Sequence, residues 1–211
     1  MTPHVRTLAR AIQSAAACVA FVAVLGPSVA SGASYQFDFR SGASGFTTGA
    51  VESCTYVAPQ AVVTWDQFAG NPNPGSITLQ GFRLAAALGQ TCLYTVTQDT
   101  YLAVAAGAFR FSLSNRIIPG PLGRTLSKEV FGGFFLLEYD ASRRLIRRGT
   151  LNAISIRDPD PTLWRDTTTT GSLGSTVRFV RLQAYLYTST PILGTGVDAE
   201  EYVFDALDFS Q

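Results

Sequence analysis

Three aspartates and a tryptophan crowd one short stretch, Asp158-Pro159-Asp160-Pro161-Thr162-Leu163-Trp164-Arg165-Asp166. Carboxylate oxygens are hard ligands that suit calcium, and they accept hydrogen bonds from hydroxyls such as those of a sugar. An exposed indole offers the C–H face of a sugar ring an apolar platform. Trp164, Asp158, Asp160 and Asp166 are therefore the candidate ligand-binding residues. The same residue types also build an ordinary turn, in which the aspartates satisfy backbone donors and Trp164 tucks back into the core. Trp65, the other tryptophan, has a stronger case for the core.

Two further groupings carry chemistry. Glu138 and Asp140 lie two apart, so on a strand they project from one face. Paired carboxylates serve glycoside hydrolysis at separations of about 5 to 9.5 Å. Jelly-roll glucanases carry Glu-x-Asp-x-Glu on one strand, which Glu138-Tyr139-Asp140-Ala141-Ser142 resembles without the third carboxylate. Nucleophile and acid cannot both be assigned, so the chain reads as non-catalytic and no catalytic residue is named. Arg143, Arg144, Arg147 and Arg148 form the one dense charge cluster. Guanidinium groups pair well with sulfate, phosphate and carboxylate, which suits an anionic glycan or acidic head groups. The alternative is the outer face of a hairpin whose inner residues are Leu145 and Ile146, the charges guarding a sheet edge against aggregation.

Composition excludes several activities. Residues 1–33 have the three parts of a secretory signal: Arg6 and Arg10, then the apolar run from Ala15 to Leu25, then small residues after Gly26-Pro27. Cleavage after Ala30 or Ala33 fits, and the apolar run is shorter than the roughly 20 residues that span a bilayer. The expectation is a secreted or periplasmic protein with no transmembrane anchor after cleavage. Its only histidine, His4, leaves with the signal. Without imidazole neither a Ser-His-Asp triad nor a histidine zinc site can be built. Cys54 and Cys92 then remain as a pair, read as a disulfide in an oxidising compartment and worth roughly 4 kcal/mol on the chain-entropy model. The sixteen basic residues, less Arg6 and Arg10, fall just short of the fifteen acidic ones. A near-neutral domain argues against nucleic acid as partner.

The elements that must position these residues are short strands. Tyr35 to Arg40 alternates aromatic and polar; Val62 to Trp65, Ile77 to Leu84, Cys92 to Val96, Tyr101 to Val104 and Ala108 to Leu113 follow, each bounded by turn residues. Residues 114–130 read as an irregular excursion around Pro119-Gly120-Pro121. Phe131 to Asp140 is almost wholly apolar and is taken as the central strand, covered on both faces. Leu145-Ile146 and Leu151 to Ile156 pair with it. The aspartates and Thr167 to Thr170 mark a long polar loop. In Val177 to Tyr187, Val180, Leu182, Ala184 and Leu186 point one way, while Phe179, Arg181, Gln183, Tyr185 and Tyr187 point the other. Roughly ten such strands with almost no helical period give an all-β fold, an antiparallel sandwich with a closed barrel as the alternative. Residues 34–211 are expected to form one domain.

The two ends carry a resemblance. Asp38-Phe39, Gly42 and Gly45-Phe46 at the start, with Tyr202, Phe204, Asp205 and Leu207 at the finish, resemble the opening and closing strands of galactose-binding-like jelly rolls. That group includes carbohydrate-binding modules and laminin-B type domains. The resemblance implies that the first and last strands lie side by side, and that a structural calcium is possible near their join, although Arg40 stands where an acidic residue often follows the aromatic. No other cofactor is expected, and the metal ligands are left unassigned. The expected partners are carbohydrate or an extracellular protein.

Overall fold

Alternating strands with one apolar face must cover that face, and two sheets laid against each other do so. The computed structural model describes residues 32–55, 59–84, 90–120, 129–190 and 197–211. Most of the expected signal, residues 1–31, lies outside them, as does the 121–128 part of the excursion. The strands are β1 Ser34–Phe37, β2 Gly49–Cys54, β3 Gln60–Asp66, β4 Ser76–Leu84, β5 Gln90–Thr97 and β6 Leu102–Ala103. They continue as β7 Gly107–Ile118, β8 Glu129–Tyr139, β9 Leu145–Ser155, β10 Arg165–Leu173, β11 Phe179–Thr190 and β12 Val197–Ser210.

The first sheet runs β10-β7-β12-β4-β3 with β1 on β12, and the second runs β2-β5-β11-β8-β9 with β6 on β11. Every pairing is antiparallel. The result is a sandwich and not a closed barrel. First and last strands lie side by side, Ser34 opposite Ser210 and Phe37 opposite Leu207. Cys54 and Cys92 sit opposite each other and are disulfide-bonded, with Cα atoms 4.1 Å apart, tying edge strand β2 to β5.

The core between the sheets is aromatic. Phe134 of β8 is its hub, with ring centroids of Phe204, Phe111, Phe46 and Tyr202 at 4.9, 5.5, 6.1 and 6.2 Å. The apolar run therefore does seat the core, although the middle strand of its sheet is β11. Each sheet also makes room for one tyrosine of the other. A Cβ on Gly81 of the first sheet would strike the ring of Tyr94, and one on Gly132 of the second would strike the ring of Tyr202. Both tyrosines are fully buried.

Four expectations are corrected. Ser114 to Ile118 and Glu129-Val130 are not part of an irregular excursion but belong to β7 and β8, the former pairing with β12. Thr167 to Thr170 belong to edge strand β10 and not to a loop, because β-branched threonine suits an extended edge whatever its polarity. Leu145 and Ile146 are not the inner side of the hairpin: they are 51% and 46% exposed, and Ile146 is the unpaired residue of a bulge between Glu138-Arg147 and Tyr139-Leu145. Trp65 is 39% exposed near the end of edge strand β3, where its indole N–H donates to the Phe39 carbonyl at 2.6 Å.

Candidate functional site: the outer face of the second sheet

Strand β11 fixes the site by alternation. Val180, Leu182, Ala184 and Leu186 are fully buried, so Phe179, Arg181, Gln183, Tyr185 and Tyr187 face away from the core at steps of about 6.8 Å. Antiparallel register sets Tyr139, Leu137, Phe135, Gly133 and Phe131 of β8 opposite them in turn. An outer sheet face is ordinarily polar. This one carries a row of rings.

The Tyr185 and Phe135 rings stack at 4.2 Å and 19°. Gly133 permits it, since a Cβ there would meet the Tyr185 hydroxyl and the Asn152 carbonyl. The Tyr185 hydroxyl donates to that carbonyl at 3.3 Å, and burial pushes its phenol pKa up, so it stays a neutral donor. Phe131 and Tyr187, both half-buried, pair at 6.1 Å farther along.

Polar groups close over the first of these pairs, in which Tyr185 is buried. Arg148 of β9 lays its guanidinium 3.8 Å over Phe135 and donates to Glu52 at 2.6 Å. Glu52 is the extra residue of a bulge in β2, and its other oxygen accepts from the Gln183 amide at 3.0 Å. Gln183 also donates to Thr97 at 2.7 Å. That leaves the half-buried Phe131 and Tyr187 as the open rings, and such rings can stack on an apolar ring face while polar neighbours exchange hydrogen bonds with hydroxyls at its rim.

The sequence-derived candidates lie elsewhere, beside the first sheet. Asp158 accepts from the Ser155 backbone at 2.8 Å and pairs with Arg165 at 3.3 Å. Asp160 holds a left-handed turn position, φ 46°, with its carbonyl accepting from Leu163. Asp166 is exposed on β10 opposite Ser114. Trp164 is half-buried, and the Arg116 guanidinium covers it at 4.6 Å. The three aspartates do not gather into a group able to hold a metal, and no such group occurs among the described residues.

The join of β1 and β12 was the other place for calcium. Asp205, buried there, accepts from the backbone of Asn71 at 2.7 Å and of Ala206 at 2.6 Å. The Phe39 carbonyl takes the Trp65 indole, and the Arg40 guanidinium lies 3.4 Å from Asp38. Calcium takes six to eight oxygens. Acceptors spent on N–H donors beside a guanidinium do not fit it.

Glu138 and Asp140 do not form an open pair either. Glu138 is buried against Arg147, and Asp140 accepts from the Ser142 and Arg144 backbones of its own turn.

No protein-family model and no curated sequence matches the chain. Solved structures do. A protein from a study of promiscuous specificity in carbohydrate-binding modules of the β-sandwich superfamily superposes with a TM-score of 0.50 at 11% identity, over 82% of this chain and 60% of its own. The likeness is one of fold. The CBM22-1 xylan-binding domain of Paenibacillus barcinonensis Xyn10C follows at a TM-score of 0.45 and 14% identity, over 85% of this chain and 94% of its own. The family 11 module from Clostridium thermocellum, in complex with a mixed-linked tetrasaccharide, gives 0.45 and 9%, over 85% and 96%. The jelly-roll resemblance read from the two ends of the sequence thus holds for the architecture.

Sequence reasoning passed over Phe131, Phe135, Tyr185, Tyr187 and Glu52 as site residues. A signal was there for four of them. The outward set of β11 carries aromatic, guanidinium and amide groups where a plain solvent face carries small polar ones, and β8 is apolar on both sides.

Proposed function

We propose that this chain binds carbohydrate on the outer face of its second sheet, without catalysing a reaction on it. The half-buried Phe131 and Tyr187 rings, next along the two strands from the Phe135–Tyr185 pair and its Gln183, Glu52 and Arg148 partners, are the observation that carries the reading. Sugar rings are amphipathic in the matching sense, with C–H faces for the aromatics and hydroxyls for the rim. The sandwich fold shared with carbohydrate-binding modules supports it by analogy of architecture. The non-catalytic reading rests on the occupied carboxylates of Glu138 and Asp140. The Cys54–Cys92 bridge agrees with an oxidising location outside the cytoplasm.

A depletion assay against insoluble and immobilised polysaccharides tests it. Tyr187→Ala and Phe131→Ala should each abolish retention on the polymers the parent binds, with the fold kept and melting only modestly lowered by the lost ring pair, and Trp164→Ala should leave retention intact. The reverse pattern would move the site to the loop of Asp158, Asp160, Trp164 and Asp166. A chain retained by no polymer is not a carbohydrate binder.

A further inference from the structure

Two guanidiniums on this face have no salt-bridge partner among the described residues, and from them we infer that the glycan bound there is acidic, carrying carboxylate or sulfate groups met by Arg181 and Arg143. The inference rests on the carbohydrate reading of the face. Arg181 stands in the outward row of β11 between Phe179 and Gln183. Its Nε donates to the Gln98 carbonyl at 2.5 Å, which anchors the side chain, and its guanidinium lies 5.1 Å from the Tyr101 ring. Arg143, in the β8–β9 turn at φ 59°, brings a second guanidinium to the same ring at 4.9 Å and to Phe179 at 5.6 Å. Tyr101 packs edge-on against Tyr139 at 5.0 Å, so the two cations share one aromatic base.

Neither cation has a carboxylate partner among the described residues. Glu52 is paired with Arg148 and Glu138 with Arg147, while the anionic carboxylates of Asp140 and Asp99 make no ion pair with either cation, Asp140 accepting from its own turn and Asp99 from the Thr47 hydroxyl. The Tyr139 phenol accepts a hydrogen bond from Arg181, yet burial pushes its pKa up, so it is a neutral partner and no counter-ion. Two guanidiniums fixed on rings and lacking an anion attract one, and the planar fork accepts carboxylate or sulfate through two parallel N–H bonds. Arg181 is one outward step from Gln183 and two from Tyr185, within the span of a short oligosaccharide lying along β11. The uncommitted charge is thus continuous with the stacking rings.

Calorimetric titration of the full chain with polygalacturonate, dextran sulfate, xylan and mixed-linkage glucan tests this. The acidic polymers should bind at least about tenfold more tightly than the neutral ones at about 20 mM salt, and the margin should collapse at about 500 mM. Arg181→Gln and Arg143→Asn should each weaken acidic binding about fivefold or more, asparagine being chosen because it tolerates the left-handed turn position. Arg110→Gln, an exposed arginine of the first sheet, should change nothing. Equal weakening by all three would mean diffuse attraction and overturn the inference. Neutral polymers bound as tightly, with the arginine variants inert, would overturn it while leaving the carbohydrate reading standing. Loss of all binding in Tyr187→Ala keeps the two on one face, and failure of every polymer sinks both. Preference for polygalacturonate or for dextran sulfate identifies the anion as carboxylate or sulfate.

Discussion

Arg148 and Glu52 come from β9 and β2, the two ends of the second sheet's strand path, yet their side chains meet at 2.6 Å. Four spacings in a flat sheet would put the strands about 19 Å apart, farther than the two side chains reach. The sheet is therefore concave on its outer side, and the ion pair crosses the hollow above Phe135. Both side chains are about two-thirds shielded, at 31% and 28% exposure. A double-mutant cycle with Arg148→Ala and Glu52→Ala should give a coupling of about 1 kcal/mol, weaker in high salt. A coupling of zero would mean that the pair does not hold the hollow's shape.

The exchange of glycines and tyrosines between the sheets sets their spacing. Gly132→Ala should destabilise by about 1 to 3 kcal/mol, because the added methyl has only the buried Tyr202 ring to move against. Gly149→Ala, where a Cβ meets nothing within 4 Å, serves as the control. Denaturant midpoints equal for the two variants would contradict the packing described.

Burial raises the Asp205 carboxyl above its ordinary range, with the Asn71 and Ala206 N–H groups pulling the other way. A carboxyl with a raised folded value holds its proton more tightly in the fold. Its contribution is full below the unfolded value and is lost as pH climbs through the folded one. Asp205→Asn lacks this titration. The stability of the parent relative to the variant should therefore fall as pH rises from the ordinary aspartate range upward. A gap that widens with that rise would reverse the sign of the argument.

At the join of β1 and β12 the acceptors are spent on N–H donors, and the aspartates beside Trp164 do not assemble a metal group. Melting curves in millimolar calcium and in chelator should superpose. A rise of several degrees on adding calcium would place a metal site in the chain that these residues do not reveal.

Much of the fold was legible because alternation is a strong signal where one face is buried. In β11 the inward residues Val180 to Leu186 read correctly, and the pairing of first and last strands was implied by the jelly-roll resemblance of the two ends. Glu52 was not legible. Gly49 to Cys54 contains one β-branched residue, and its bulge breaks the alternation that would have marked a strand. Trp164 drew attention as an aromatic among acids in a loop, whereas Tyr185 and Phe135 come from adjacent strands about fifty residues apart in sequence. Their stacking depends on register and on the missing side chain of Gly133, and local spacing encodes neither.

The most direct test of the account is a ¹⁵N-edited NMR titration of the chain with oligogalacturonate and with xylohexaose, following backbone and arginine side-chain signals. Shifts confined to β8, β9 and β11, centred on Phe135, Arg148, Arg181, Gln183, Tyr185 and Tyr187, are the expected result. Shifts centred on Trp164 and its neighbouring aspartates, with the second sheet silent, would contradict the account and return the binding site to the loop.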